Sequence, residues 1–241
     1  SAVTPSKDTR TSMNGTSVLW DAGDAIGVIS TKVGETDNNT QYTLSQGAGT
    51  GSGEFSGMSE SGYTKVAAYY PYNASVKFAN SELSLILPES YTYDANHPES
   101  NNKAPMACLI EQGAQSDISF KHAGALMHIE LKNIPQNCTA IKLTSANADC
   151  KLTGAAKITF ASGTPTLAIA SEGTQATAET EGDTPAEGHT ITIHFTNTAA
   201  GSTKSFYFPI PVYNYTALTL SVEGTGDFKP QTIKSKPLNA E

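Results

Sequence analysis

Val18-Leu19-Trp20-Asp21-Ala22-Gly23-Asp24-Ala25-Ile26-Gly27-Val28-Ile29 is the stretch that decides how this chain is read. Its tryptophan, the only one in the sequence, ends a short apolar run. An Asp-Ala-Gly-Asp turn follows, and a second apolar run resumes with a glycine inside it. Glycine accepts positive φ, and an aspartate side chain caps neighbouring backbone amides, so both suit such a turn. The expected product is a β-hairpin or a strand corner that carries the largest side chain into a core.

Outward from this stretch the chain reads as strands. Residues 25–31, 41–45, 64–70 and 82–87 are strand candidates, the last alternating as Leu83, Leu85 and Leu87 against Ser84, with Ile86 as the exception. The glycine-rich segment Gly47 to Gly53 reads as a loop, and Glu89 to Lys103, polar and aromatic, as a long surface loop. In the second half Ile118 and Phe120 oppose Ser119 and Lys121, and Ala125, Met127, Ile129 and Leu131 oppose His128, Glu130 and Lys132. One face is expected to be buried and the other wet. The pattern recurs at Ile141 and Leu143, at Ile191, Ile193 and Phe195, at Phe206, Phe208, Ile210 and Val212, and at Leu218, Leu220 and Val222. Pro209 and Pro211 are expected on the outward side of an edge strand, where missing ladder donors cost least. No segment holds a helical period for ten residues.

The 241 residues allow one large β domain or two smaller ones. Charged residues are only 16% and hydrophobic ones 38%, with small residues abundant, which suits strands and short turns. Fifteen basic against twenty-three acidic residues give a net charge of −8 and no basic stripe, so nucleic acid is not an expected partner. No run of 18 apolar residues is present to span a membrane as a helix. A change of pattern near Gln112 to Asp117 places the expected boundary between an N-terminal domain, residues 1–115 with an exposed arm or loosely held strand at 1–12, and a C-terminal domain, residues 116–241. The second is expected to carry a mobile acidic loop at 171–189.

Cys108, Cys138 and Cys150 are an odd set. A hairpin joining Cys138 to Cys150 would turn at Thr144, inside an alternating apolar run, so three reduced, partly buried thiols are expected. Metal ligation fails for want of Cys-x-x-Cys or Cys-His spacing. Asp94, Asn96, Glu99 and Asn101 offer oxygens, but without the glycine and terminal glutamate of an EF-hand they read as an ordinary polar loop. No cofactor or metal is expected.

Thr9-Arg10-Thr11-Ser12 ahead of the Trp20 stretch, with Asn39, Tyr42 and Leu44, then Gly47 to Phe55, then Tyr69-Tyr70-Pro71-Tyr72, resembles in order and spacing the opening of the fimbrillin-like proteins of Bacteroidota. These are the type V pilins and their tip and anchor subunits. Over the second half the resemblance is looser, resting mainly on Phe120-Lys121-His122. It implies an all-β chain of two tandem transthyretin-like, Greek-key β-sandwich domains; a single larger jelly-roll-type sandwich is the alternative. It also implies a cell-surface or outer-membrane location in a fimbrium, with export as a lipoprotein; no signal segment opens at Ser1, so export is what the resemblance implies and is not read from the residues. The family's last strand contains Tyr and follows a glycine turn. Residues 239–241 stop where that turn would begin: either the sequence is cut short there or the last strand is absent, and an absent donor strand would suit a tip or accessory subunit.

Candidate chemistry is sparse. His97, His122, His128, His189 and His194 are scattered, and His128 and His194 fall on polar strand faces, so solvated or locally bonded imidazoles are expected. No Gly-x-Ser-x-Gly elbow or His-Glu-x-x-His pair occurs, and no enzyme is expected. Paired carboxylates meet in space and not in sequence, which keeps glycoside hydrolysis as the last reading. Tyr69, Tyr70 and Tyr72, with Tyr91 and Tyr93, suit either strand-core packing or a sugar-stacking platform; the second would make the chain a secreted carbohydrate-binding module for glycan uptake. The sequons at Asn14, Asn38, Asn73, Asn137 and Asn214 matter only in a eukaryotic secretory pathway.

Arg10 is the only arginine. The resemblance implies that an Arg-specific protease cuts there and removes the first strand, and that a strand from another fimbrial subunit fills the exposed groove. A host or bacterial surface glycan or protein is the implied adhesion partner.

Overall fold

The computed structural model describes residues 2–3, 12–14, 17–93, 104–111, 117–147, 149–169, 188–226 and 228–240. Among them no helix occurs; the chain is all-β and its sheets form open β-sandwich layers, with no closed barrel. It divides into two compact units, one of Ser1–Leu85, Lys103–Gly124 and Lys157–Leu167, the other of Ile86–Asn102, Ala125–Ala156 and Ala168–Glu241.

The first unit is organised on a seven-stranded sheet in the order Ala2–Val3, Gly53–Ser56, Asn38–Gln46, Ala25–Thr31, Thr64–Tyr70, Met106–Leu109, Lys121–His122. The Trp20 stretch is a corner and not a hairpin: Ser17–Leu19 pairs back onto Ser12–Asn14, and the chain then turns at Asp21 to Asp24 into Ala25–Thr31. Gly23 takes φ +90° there, and the backbone N–H of Asp21 is capped by Asp24 Oδ2 at 2.8 Å. Ile26 and Val28 point into a cluster with Trp20, Tyr42, Phe55, Tyr70, Met106 and Phe120, while Ile29 on the other face is also buried. Both faces of this central strand are therefore covered, which is why its apolar run does not alternate. Of a four-stranded sheet in the order Thr164–Ile169, Gly154–Ala161, Glu82–Leu87, Lys77–Ala79, this unit holds the part that carries the buried Leu83, Ile158 and Leu167.

The second unit holds a five-stranded sheet in the order Ser90–Thr92, Thr190–His194, Cys138–Ser145, Leu218–Gly224, Gln231–Lys234, whose first pair is parallel. Ala125–Ile134 pairs antiparallel with Ser202–Ile210, and Tyr213–Tyr215 with Leu238–Ala240. Ile141, Leu143, Ile191, Ile193, Phe206, Phe208 and Tyr215 lead its core.

Four local expectations are corrected. Pro209 and Pro211 do not face solvent; both are buried, because the end of Ser202–Ile210 is covered on both faces, and it is Val212, just past the strand, that is 40% exposed. The strand has one partner among the described residues, as an edge strand should. Gly53 begins a strand and Ser90–Thr92 forms one, although both were assigned above to loops. His189 is buried, not solvated, with no partner on Nε2 among the described residues, whereas His128 and His194 are exposed.

Candidate strand-exchange site

At the outer edge of the seven-stranded sheet, Ala2 lies opposite Glu54 and Val3 opposite Gly53 in an antiparallel pair. The strand receiving them alternates strictly: Gly53 and Phe55 are buried, Glu54 and Ser56 exposed. Gly53 is required by crowding. A Cβ there would sit 2.5 Å from Leu44 Cδ1, 3.0 Å from Phe55 Cε2 and 3.1 Å from Trp20 Cδ1. Only a residue without a side chain lets this edge lie flat over the indole.

Trp20 is 0% exposed and meets Phe55, Tyr70 and Phe120 edge-on, with centroids 4.8, 5.5 and 6.0 Å away. Such aromatic contacts add about 0.5–1.5 kcal/mol each beyond burial. Its backbone is tied to the glycine-rich loop, the Trp20 N–H donating to Thr50 O at 3.0 Å and the Gly49 N–H to Trp20 O at 2.7 Å. The Thr50 hydroxyl bonds Gly47 O and Ser52 O and closes the loop. Among the described residues the indole N–H has no acceptor. The edge strand thus rests on an aromatic floor in which the Tyr70 hydroxyl is paired and the indole N–H is unmatched among the described residues.

The residues singled out in the sequence are placed as follows. Arg10 lies outside the described residues, as do His97, Asp94, Asn96, Glu99, Asn101, the 112–116 part of the expected boundary and all but Gly188 and His189 of the acidic loop. Tyr69 and Tyr70 are 3% and 1% exposed. The Tyr69 hydroxyl shares its one proton between Asn39 Oδ1 at 2.8 Å and Asn73 O at 2.7 Å, and burial pushes it up to about 12 against the pull of those contacts. Neither ring keeps a face for a sugar. Tyr72 is half-buried, and its backbone N–H bonds Ala25 O. Tyr91 and Tyr93 pack on the second unit's core, Tyr93 against Phe195 and Phe206. Cys108, Cys138 and Cys150 are free and buried, and burial raises all three thiols, Cys108 to about 12 and Cys150 to about 11.

The sequence reading placed Asp24 in a turn but missed Gly53, the burial of Asp24 and the bond its Oδ1 accepts from Tyr70. The signal for the first was the two-residue period of Gly53-Glu54-Phe55-Ser56, hidden behind the glycines that precede it.

No protein-family model and no curated protein matches the chain. A solved structure does: that of a protein from Bacteroides ovatus provisionally named a cell adhesion protein, at a TM-score of 0.52 and 15% identity, covering 100% of this chain and 87% of that one. At this identity the likeness concerns the fold.

Proposed function

We propose that this chain is a non-enzymatic, surface-exposed fimbrial subunit or fimbrillin-like lipoprotein, assembled by donor-strand exchange after cleavage near Arg10 and serving adhesion. The observation that carries the reading is the pairing of Ala2 and Val3 with Glu54 and Gly53. A cut at Arg10 severs this strand from the body of the chain. Its departure leaves the Gly53–Ser56 edge with unpaired amides and carbonyls over an apolar floor, and a strand from another subunit satisfies them. The name of the Bacteroides ovatus neighbour supports the adhesive part and a surface location. The partners are other fimbrial subunits, an Arg-specific protease, and a glycan or protein on a host or bacterial surface. A glycan-uptake module built on Tyr69 and Tyr70 gains no support, since both rings are core.

Limited digestion of the folded protein with an Arg-specific protease tests the proposal. Expected are a single cut after Arg10, loss of the first ten residues, and then self-association or capture of a synthetic donor-strand peptide. A cleaved protein that stays monomeric and captures nothing overturns it.

A further inference from the structure

The second unit carries a hollow of about 540 Å³ lined by Pro135, Gln136, Asn137, Phe228, Lys229 and Gln231. That volume falls within the about 300–1,000 Å³ of small-molecule sites. We propose that it binds a neutral oligosaccharide. The proposal rests on the adhesive part of the reading above and not on strand exchange.

The wall is held more firmly than an exposed turn requires. Asn197, 7% exposed, donates from Nδ2 to Ile134 O at 3.2 Å, Pro135 O at 2.7 Å and Ala199 O at 3.0 Å, and its Oδ1 accepts from the Ser202 hydroxyl at 2.7 Å. Asn137 sits at φ +74°, its N–H donating to Asn197 O and its carbonyl accepting from the Thr225 N–H. The turn that presents Gln136 and Asn137 is thereby fixed from beneath. Opposite, Phe228 is seated by Gly224, where a Cβ would fall 2.5 Å from Phe228 Cγ.

Among the described residues the chemistry offered is three side-chain amides, one aromatic ring and one ammonium. Amides donate and accept at once, which matches adjacent hydroxyls, and an aromatic ring takes the apolar face of a pyranose. One flexible lysine in a chain of net charge −8 is a poor match for a carboxylated or sulfated sugar, which calls for bidentate guanidinium. A peptide adding as a strand needs open backbone groups, and those of Asn137 are already bonded. The Gln231 amide spends its bond on Lys229 O at 3.3 Å, a long contact easily exchanged for a ligand hydroxyl.

The test uses the full chain on an array of neutral hexose and N-acetylhexosamine oligosaccharides, sialylated glycans and unrelated peptides, followed by calorimetric titration of the strongest oligosaccharide. Gln136→Ala with Gln231→Ala, both exposed positions, is expected to weaken binding by about tenfold or more with an unchanged melting temperature, given the usual worth of two hydrogen bonds. Phe228→Leu, which keeps bulk over Gly224, is expected to weaken it as well. No binding to any neutral oligosaccharide, binding only to sialylated glycans or peptides, or equal binding by the Gln136 and Gln231 variant overturns the proposal. Donor-peptide capture measured on the same proteins separates the two ideas: capture without sugar binding sinks only this one, and Gln136-dependent sugar binding without capture supports it while sinking strand exchange.

Discussion

The phenolic hydroxyl of Tyr70 donates to Asp24 Oδ1 at 2.8 Å, and both residues are 1% exposed. The other carboxylate oxygen caps the Asp21 N–H, so one buried side chain ties the turn after Trp20 to the strand Thr64–Tyr70. Charge-assisted hydrogen bonds of this kind contribute about 1.5–3 kcal/mol. Tyr70→Phe is expected to cost about 1–2 kcal/mol and Asp24→Ala about 2–4, because the latter strands a buried hydroxyl and uncaps the turn. Urea denaturation of both single variants and the double variant checks this; a coupling energy near zero refutes it.

Burial sets a pH dependence with a definite sign. Tyr69 and Tyr91 are pushed up to about 12 from an ordinary 10.0, and Cys108 to about 12 from 9.0. In the folded protein these groups hold their protons where the unfolded chain has lost them. Stability is therefore full below pH 9 and falls as the pH rises from there to about 12. Denaturant midpoints at pH 8, 9.5 and 11, values spread across that window, are expected to decline; a flat series contradicts the burial of these groups.

The same burial protects the thiols. Cys108, Cys138 and Cys150 are free and buried. With dithionitrobenzoate at pH 8 the native protein is expected to react slowly or not at all, and all three to react once denaturant is added, since the thiolate is the nucleophile. Fewer than three reactive thiols after denaturation would point to a disulfide instead.

Strands that bury one face or both with large apolar residues were legible in the sequence. Ala25–Thr31, Thr64–Tyr70 and Glu82–Leu87 fall where the pattern put them, and exposed Ile86 is the out-of-phase residue it should be. Gln231–Lys234 was not legible because all four residues are exposed and leave no alternation, and Gly53–Ser56 because glycine reads as loop until its neighbours are known. The chain passes between the units at 85/86, 102/103, 124/125, 156/157 and 167/168, whereas composition along a line offers one boundary. For the site, the Trp20 turn announced itself through Asp and Gly. The docking of Ala2–Val3 did not, since backbone pairing of two small apolar residues has no residue-type signature.

Gly27 is required by crowding and not by backbone conformation. A Cβ there would fall 2.1 Å from Tyr69 Cε1 and Cζ, ring atoms held by the hydroxyl's bonds to Asn39 and Asn73. At Gly49 and Gly163 nothing lies within 4 Å, but φ of +75° and +74° strains any side chain there through the backbone instead. Gly27→Ala is expected to destabilise by about 1–3 kcal/mol through overpacking, and combining it with Tyr69→Leu to recover part of that loss. If Gly27→Ala unfolds at the wild-type denaturant concentration, the ring is not fixed as described.

Asn197 gives the sharpest contrast between two substitutions of one residue. Its two amide hydrogens are shared among the carbonyls of Ile134, Pro135 and Ala199. Asn197→Ala removes the donors and is expected to cost about 1–3 kcal/mol, the usual penalty for buried acceptors left unpaired. Asn197→Asp keeps the shape but turns a carboxylate toward three carbonyl oxygens, so at neutral pH it should cost more than alanine. The folded state then favours the protonated carboxyl, raising its pKa above the unfolded value of about 4. The penalty of the aspartate variant is accordingly expected to shrink as the pH falls toward and below about 4, while that of the alanine variant does not follow it. Denaturation of both variants at neutral and acid pH distinguishes these cases. An aspartate variant no worse than alanine at pH 7 would mean that the turn carrying Gln136 and Asn137 is not held by this amide.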